Sequence, residues 1–190
     1  YFFSLEDNGP YYVQSPHPIF ERGTELFGYD LAQILHAKAF LMAGAHPLTY
    51  ADGRADILEP KNKHSLFNLV HQGLISHYTE NPELVVQIRS HKRDLGVTAP
   101  TILSFRHQKL RGSHTQITNS LINTLNRSGL NPINQDGRLL TAGLEVGDSA
   151  QSRFLRFSNN TEMAALWLPS DLLSSFLFNS FSKLAMLSPE

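Results

Sequence analysis

Tyr11-Tyr12-Val13-Gln14-Ser15-Pro16-His17-Pro18-Ile19-Phe20-Glu21-Arg22-Gly23-Thr24-Glu25-Leu26 is the stretch that sets the class of this 190-residue chain. A short apolar run over residues 11–16 reads as a strand. It gives way within a few residues to a helical pattern over residues 23–35, where Leu26, Tyr29, Leu31, Ile34 and Leu35 form one apolar stripe. A strand that feeds a helix is the building unit of a parallel sheet. The loop after such a strand is where open α/β sheets gather their chemistry.

The same alternation continues along the chain. Lys38-Ala39-Phe40-Leu41-Met42-Ala43-Gly44-Ala45 is almost continuously apolar, as a strand buried on both faces should be. Residues 47–63, with Asp52-Gly53 and Glu59-Pro60, read as a long loop of the kind that is often functional. Ser65 is expected to cap a helix over residues 66–78, which Asn81-Pro82 ends. Residues 83–90 and 101–106 read as strands, and Ser113 as the cap of a helix running to Asn126 that Ser128-Gly129 closes. After a loop-rich stretch over 130–148 come a short helix (150–157), a last strand (163–168) and a Phe- and Leu-rich helix (172–187). Strands alternating with helices predict an α/β three-layer sandwich with a mostly parallel sheet, and the length suits a single domain over residues 1–190.

Composition narrows the function. Lys and Arg total 16 against 17 Asp and Glu, so no overall field favours nucleic acid. No apolar run approaches the roughly 18 residues of a membrane span. The absence of cysteine removes disulfides, thiolate metal sites and a Cys nucleophile. The chain begins at Tyr1, which a removed signal peptide explains and a shortened chain explains too. The first explanation leans the expectation towards an extracytoplasmic protein. No G-x-S-x-G elbow, P-loop or Rossmann glycine fingerprint is present.

Nine histidines focus attention on metal chemistry. His17 ends a strand, and Glu21 or Glu25 lies at the following helix start. Zinc takes neutral imidazole and carboxylate donors at about 2 Å, so two residues on one loop organise half a coordination shell. The plainer reading of Glu21 and Glu25 is that acidic residues favour a helix N-terminus. A third donor must come from a neighbouring strand. His91 is one candidate, two residues beyond Arg89 and so on the same strand face. His46, at the end of the second strand, is the other. Asp52, Arg54 and Asp56 stand where they can orient a substrate or support a ligand. Arg153 and Arg156 lie on the short helix, where an arginine suits a substrate carboxylate, although a solvated helix face explains them as well. His64, His71 and His77 read as structural, with His71 towards solvent. Trp167 reads as core.

His17, Glu21, Gly23, Thr24, Glu25 and Leu26 together resemble the motif of the zinc-dependent poly-γ-glutamate hydrolases of phage and bacteria. These share a fold with zinc carboxypeptidases, N-formylglutamate amidohydrolases and cell-wall amidases. Ser65–Leu74 ahead of the Glu83–Ile88 strand is also similar, and the likeness extends over about residues 11–173. It implies a carboxypeptidase-like fold, with Zn²⁺ held by His17, Glu21 and a histidine at the end of a central strand. His91 is the nearest match, although Arg89 stands where that histidine is more naturally expected. Relatives place a catalytic glutamate in the last strand. Here that strand reads Met163-Ala164-Ala165-Leu166-Trp167-Leu168, and the acid is missing. Glu145 is then the first candidate for general base, with Glu162 and Asp171 behind it, and Arg89, Arg153 and Arg156 would hold an acidic substrate. The resemblance implies a zinc-dependent hydrolase of amide bonds in a polyglutamate, cell-wall or other peptide-like polymer. The missing glutamate and Arg89 keep open the alternative of an inactive, hydrolase-fold binding module or the assembly domain of a larger protein.

Overall fold

One sheet organises the chain in the computed structural model, which describes residues 2–4, 9–75, 81–92, 101–106, 112–135, 144–158 and 160–175. The strands are β1 (Phe2–Ser4), β2 (Tyr11–Ser15), β3 (Ala39–Met42), β4 (Glu83–His91), β5 (Ile102–Phe105), β6 (Ile133–Asn134) and β7 (Thr161–Pro169). The helices are α1 (Thr24–Ile34), α2 (Leu66–Ile75), α3 (Gly112–Arg127) and α4 (Ala150–Phe154), the last extended by a 3₁₀ turn over Leu155–Phe157. Strand order is β1-β3-β2-β4-β7-β5-β6. The β3–β2, β2–β4, β4–β7 and β5–β6 pairings are parallel, while β1–β3 and β5–β7 are antiparallel. This is the mostly parallel α/β sandwich that the sequence predicts.

Strand alternation divides the core into two layers. Val13, Leu84, Val86, Ile88, Leu166 and Leu168 point to one face, where they pack with Leu31 and Leu35 beside α1 and Leu121 and Leu125 of α3. Tyr12, Leu41, Val85 and Met163 point to the other, against Phe67 and Ile75 of α2 and Leu155. Central β4 is buried on both faces because both neighbours in the sheet run parallel to it and helices cover it above and below.

Several expectations shift at the margins. Strand β3 is shorter than the apolar run 38–45, and β6 forms within the stretch expected as loop. Ser113 lies inside α3 rather than ahead of it. Strand β1 is an addition to the expected elements. Residues 170–175 are helical, and the rest of the predicted helix over 172–187 lies outside the described residues, as does His77. His71 corrects the expectation that turns it to solvent. It is fully buried on the sheet-facing side of α2, because Gln14 on β2 offers its imidazole a partner there.

Candidate functional site

The carboxyl ends of β2 and β4 lie side by side, with Gln14 and Gln87 in register. Beyond Ser15 the chain turns tightly. The amides of Phe20 and Glu21 both donate to the His17 carbonyl, at 3.0 and 2.7 Å. The Thr24 hydroxyl donates to the Glu21 carbonyl at 2.8 Å and meets the Ser15 hydroxyl at 2.8 Å. Gly23 completes the turn at φ +91°, a left-handed conformation that glycine adopts without steric cost. This local network brings the His17 and Glu21 side chains together, with His17 Nδ1 3.7 Å from Glu21 Oε1, and both residues are buried.

Glu25 has a different task. Its carboxylate accepts from the Gly23 amide at 2.9 Å, at the start of α1, so of the two acids on this turn Glu21 is the one at the site.

Arg89 on β4 completes the centre. Its Nε donates to both Glu21 oxygens at 3.1 Å and its Nη2 to Oε1 at 2.8 Å, while the Ser90 amide reaches Oε2 at 3.1 Å. The guanidinium also lies 4.5 Å from the ring centroid of Trp167, its register partner on β7, within cation–π range. Trp167 in turn donates from Nε1 to the Ser104 hydroxyl at 3.3 Å. Burial alone would raise the Glu21 carboxyl. The neighbouring His17 imidazole and the Arg89 guanidinium outweigh burial and hold it below the usual carboxylate range.

The long loop ahead of α2 supplies the remaining partner. His17 Nε2 donates to Asp56 Oδ1 at 2.8 Å. Asp56 is held there because the loop is tied down by amide side chains. Asn62 Nδ2 donates to the Gly53 and Asp56 carbonyls at 2.8 and 2.6 Å, and Asn68 and Gln151 both donate to the Ile57 carbonyl, at 2.9 and 3.0 Å. Of the three loop residues singled out in the sequence, Asp56 alone reaches His17; Asp52 and Arg54 make a local, exposed pair. A crevice of about 200 Å³ opens alongside, lined by Asp56, Glu59, Gln87, Arg89, Asp148 and Ser149 among others.

The other candidates occupy further positions on the sheet and its loops. His91 is buried at the end of β4, opposite Pro169. His46 sits in the loop after β3, accepting from the Leu48 amide at 3.1 Å and edge-on to the Phe20 ring at 5.3 Å. Glu145 accepts from Gln135 at 3.2 Å, beside the outer strand β6. Glu162 lies at the opposite end of β7 from Trp167 and pairs with Arg106 at 3.1 Å. Arg153 and Arg156 share the Asp148 carboxylate at 2.6 and 2.7 Å.

A zinc ion fits this donor set poorly. Both Glu21 oxygens are committed to Arg89, whose fixed positive charge would repel a dication at the same carboxylate. The His17–Asp56 contact does not count against a metal, since it occupies Nε2 and leaves Nδ1 facing Glu21. Among the described residues, no group of three or more His, Asp or Glu side chains is placed to hold a metal ion.

The fold and site thus define a parallel-centred α/β sandwich with a buried polar cluster at the carboxyl edge of its central strands. A bacteriophage poly-γ-glutamate hydrolase has a similar structure, at a TM-score of 0.50 over 89% of this chain and 70% of that one, with 16% sequence identity. That likeness establishes the fold. By sequence, no family profile and no curated protein matches the chain.

Proposed function

We propose that this domain keeps the architecture of a poly-γ-glutamate hydrolase and uses its carboxyl edge to bind a peptide-like, acidic polymer without cleaving it. The observation that carries this reading is the Arg89–Glu21 pair. A guanidinium holds, in two-point fashion, the carboxylate that the resemblance assigns to a metal. The second support is Trp167, an aromatic ring packed against that guanidinium on the strand where the resemblance calls for a glutamate. Arg89 therefore touches the strand from which the expected acid is missing. The polymer class is supported by the function of the structural neighbour and by Arg153 and Arg156, two guanidinium groups on one Asp148 carboxylate.

One observation favours a second reading, a zinc-dependent amide hydrolase. His17 Nδ1 and Glu21 Oε1, at 3.7 Å, are close enough to share a ligand if Arg89 withdraws. The two readings separate in one experiment. The chain is mixed with γ-linked and α-linked polyglutamate, with and without added zinc. Binding is read by calorimetry and chain length by size separation. Binding without shortening supports the binding module. Shortening that requires stoichiometric zinc overturns it in favour of the hydrolase.

A further inference from the structure

A second depression of about 550 Å³ lies beside the crevice and is walled by Pro60, Lys61, Lys63, His64, Arg153 and Phe157 among others. The two share part of their walls. Pro60 lines both, and the consecutive residues Ser149 and Ala150 line one each. The Arg153–Asp148 ion pair, at 2.6 Å, straddles the boundary, with the guanidinium in the groove and the carboxylate in the crevice. We infer that this groove is a binding track for a polyanionic, peptide-like chain. The inference rests on the polymer-binding reading above and assigns it a second set of residues.

Charge and shape both point to that occupant. The chain as a whole is nearly neutral, with a net charge of −1, yet this groove gathers Lys61, Lys63 and Arg153 with His64 beside them. Lys61 donates to the Asp52 backbone carbonyl, at 2.5 Å, a neutral acceptor that leaves its charge uncompensated by that contact. Arg153 and Arg156 divide one Asp148 carboxylate between two guanidinium groups, so donor capacity remains for an incoming anion. Phe157 is 90% exposed, a high value for an aromatic residue, and with Pro60 it offers an apolar wall. Methylene stems between regularly spaced carboxylates match such a surface: the stems lie on Phe157 and Pro60 and the carboxylates meet the cationic rim.

The test uses the full chain with Lys61→Glu/Lys63→Glu and Phe157→Ala variants, all altered at groove-lining positions outside the core. Fluorescent polyglutamate and a single-stranded oligonucleotide of matched charge are the probes, followed by anisotropy across a salt series. The expected result is polyglutamate binding that weakens on the order of tenfold in the double lysine variant, with a shallower salt dependence, and that also falls in Phe157→Ala. Unchanged binding in both variants, with loss on Arg89→Ala, would overturn the groove while leaving the crevice reading intact. Stronger binding of the oligonucleotide, sensitive to the same lysines, would overturn the peptide-like occupant. Binding of neither probe would overturn the polymer reading itself.

Discussion

Arg89 grips both oxygens of Glu21, with Nε 3.1 Å from each and Nη2 2.8 Å from Oε1, in a centre where Glu21 is 7% exposed. Two opposite charges removed from water in this way lock each other in place. The pair adds little net stability over an apolar pair, but losing one partner strands a buried charge. Arg89→Met is therefore expected to destabilise the fold by about 3–5 kcal/mol. Combining it with Glu21→Gln should restore part of that loss. Urea unfolding of the single and double variants checks the coupling, and additive effects would mean that the pair does not act together.

Gly23 sets the turn that carries Glu21. Its φ of +91° is left-handed, and a Cβ there would lie 3.0 Å from the Leu173 carbonyl oxygen and 3.1 Å from the Leu173 Cβ. Gly23→Ala is expected to cost about 1–3 kcal/mol and to weaken polymer binding, because the strained turn displaces Glu21 from Arg89. Thermal unfolding and calorimetry measure the two effects separately.

His71 makes the fold acid-sensitive. Gln87 Nε2 donates to Gln14 Oε1 at 3.2 Å, and Gln14 Nε2 donates to His71 Nδ1 at 2.8 Å, which fixes the neutral tautomer with its proton on Nε2. That Nε2 is buried without a hydrogen-bond partner. Burial pushes the imidazole down to about 4, and the nearby Gln151 backbone offsets only a little of this. Between pH 6.5 and 4 the unfolded chain binds a proton that the folded chain does not, so stability falls as pH falls through this window. The loss approaches about 3 kcal/mol below pH 4, because each tenfold drop in proton affinity on folding is worth about 1.4 kcal/mol. His71→Gln should flatten the pH dependence of denaturant midpoints across that range. An equally steep profile in the variant would show that other groups cause it.

Much of the fold is legible in the sequence because its central elements carry their own signals. Strands β2, β4 and β7 are apolar runs, whereas the helix stripes hold only in part: Leu31 and Leu35 are buried beside α1 but Tyr29 and Ile34 are exposed, and α2 buries Phe67, His71 and Ile75 while Leu66 and Leu69 face out. Strand β1 and the two-residue β6 form at the sheet edges, where pairing with β3 and β5 decides the outcome and local composition does not. The antiparallel course of β5 against β7 is likewise set by tertiary pairing. At the site, His17 and Glu21 are legible from their spacing on one turn, and the structure places their side chains together. The Asp56 contact spans 39 residues and depends on Asn62, Asn68 and Gln151 holding the loop, which no local pattern announces. Trp167 reads as core and is buried, but its contact with Arg89 follows from the β4–β7 register. The sequence marks Arg89 and the missing acid of the last strand as departures, but nothing in it singles out Trp167 as the partner.

Zinc titration of the wild-type chain beside Arg89→His and His17→Ala, read as bound metal per chain after removal of free ion, tests the central claim most directly. The account predicts no stoichiometric zinc in the wild type and a gain of zinc affinity in Arg89→His, where an imidazole replaces the guanidinium next to Glu21 and His17. About one zinc per wild-type chain, lost in His17→Ala, would contradict it and make Arg89 a displaceable neighbour of a metal centre.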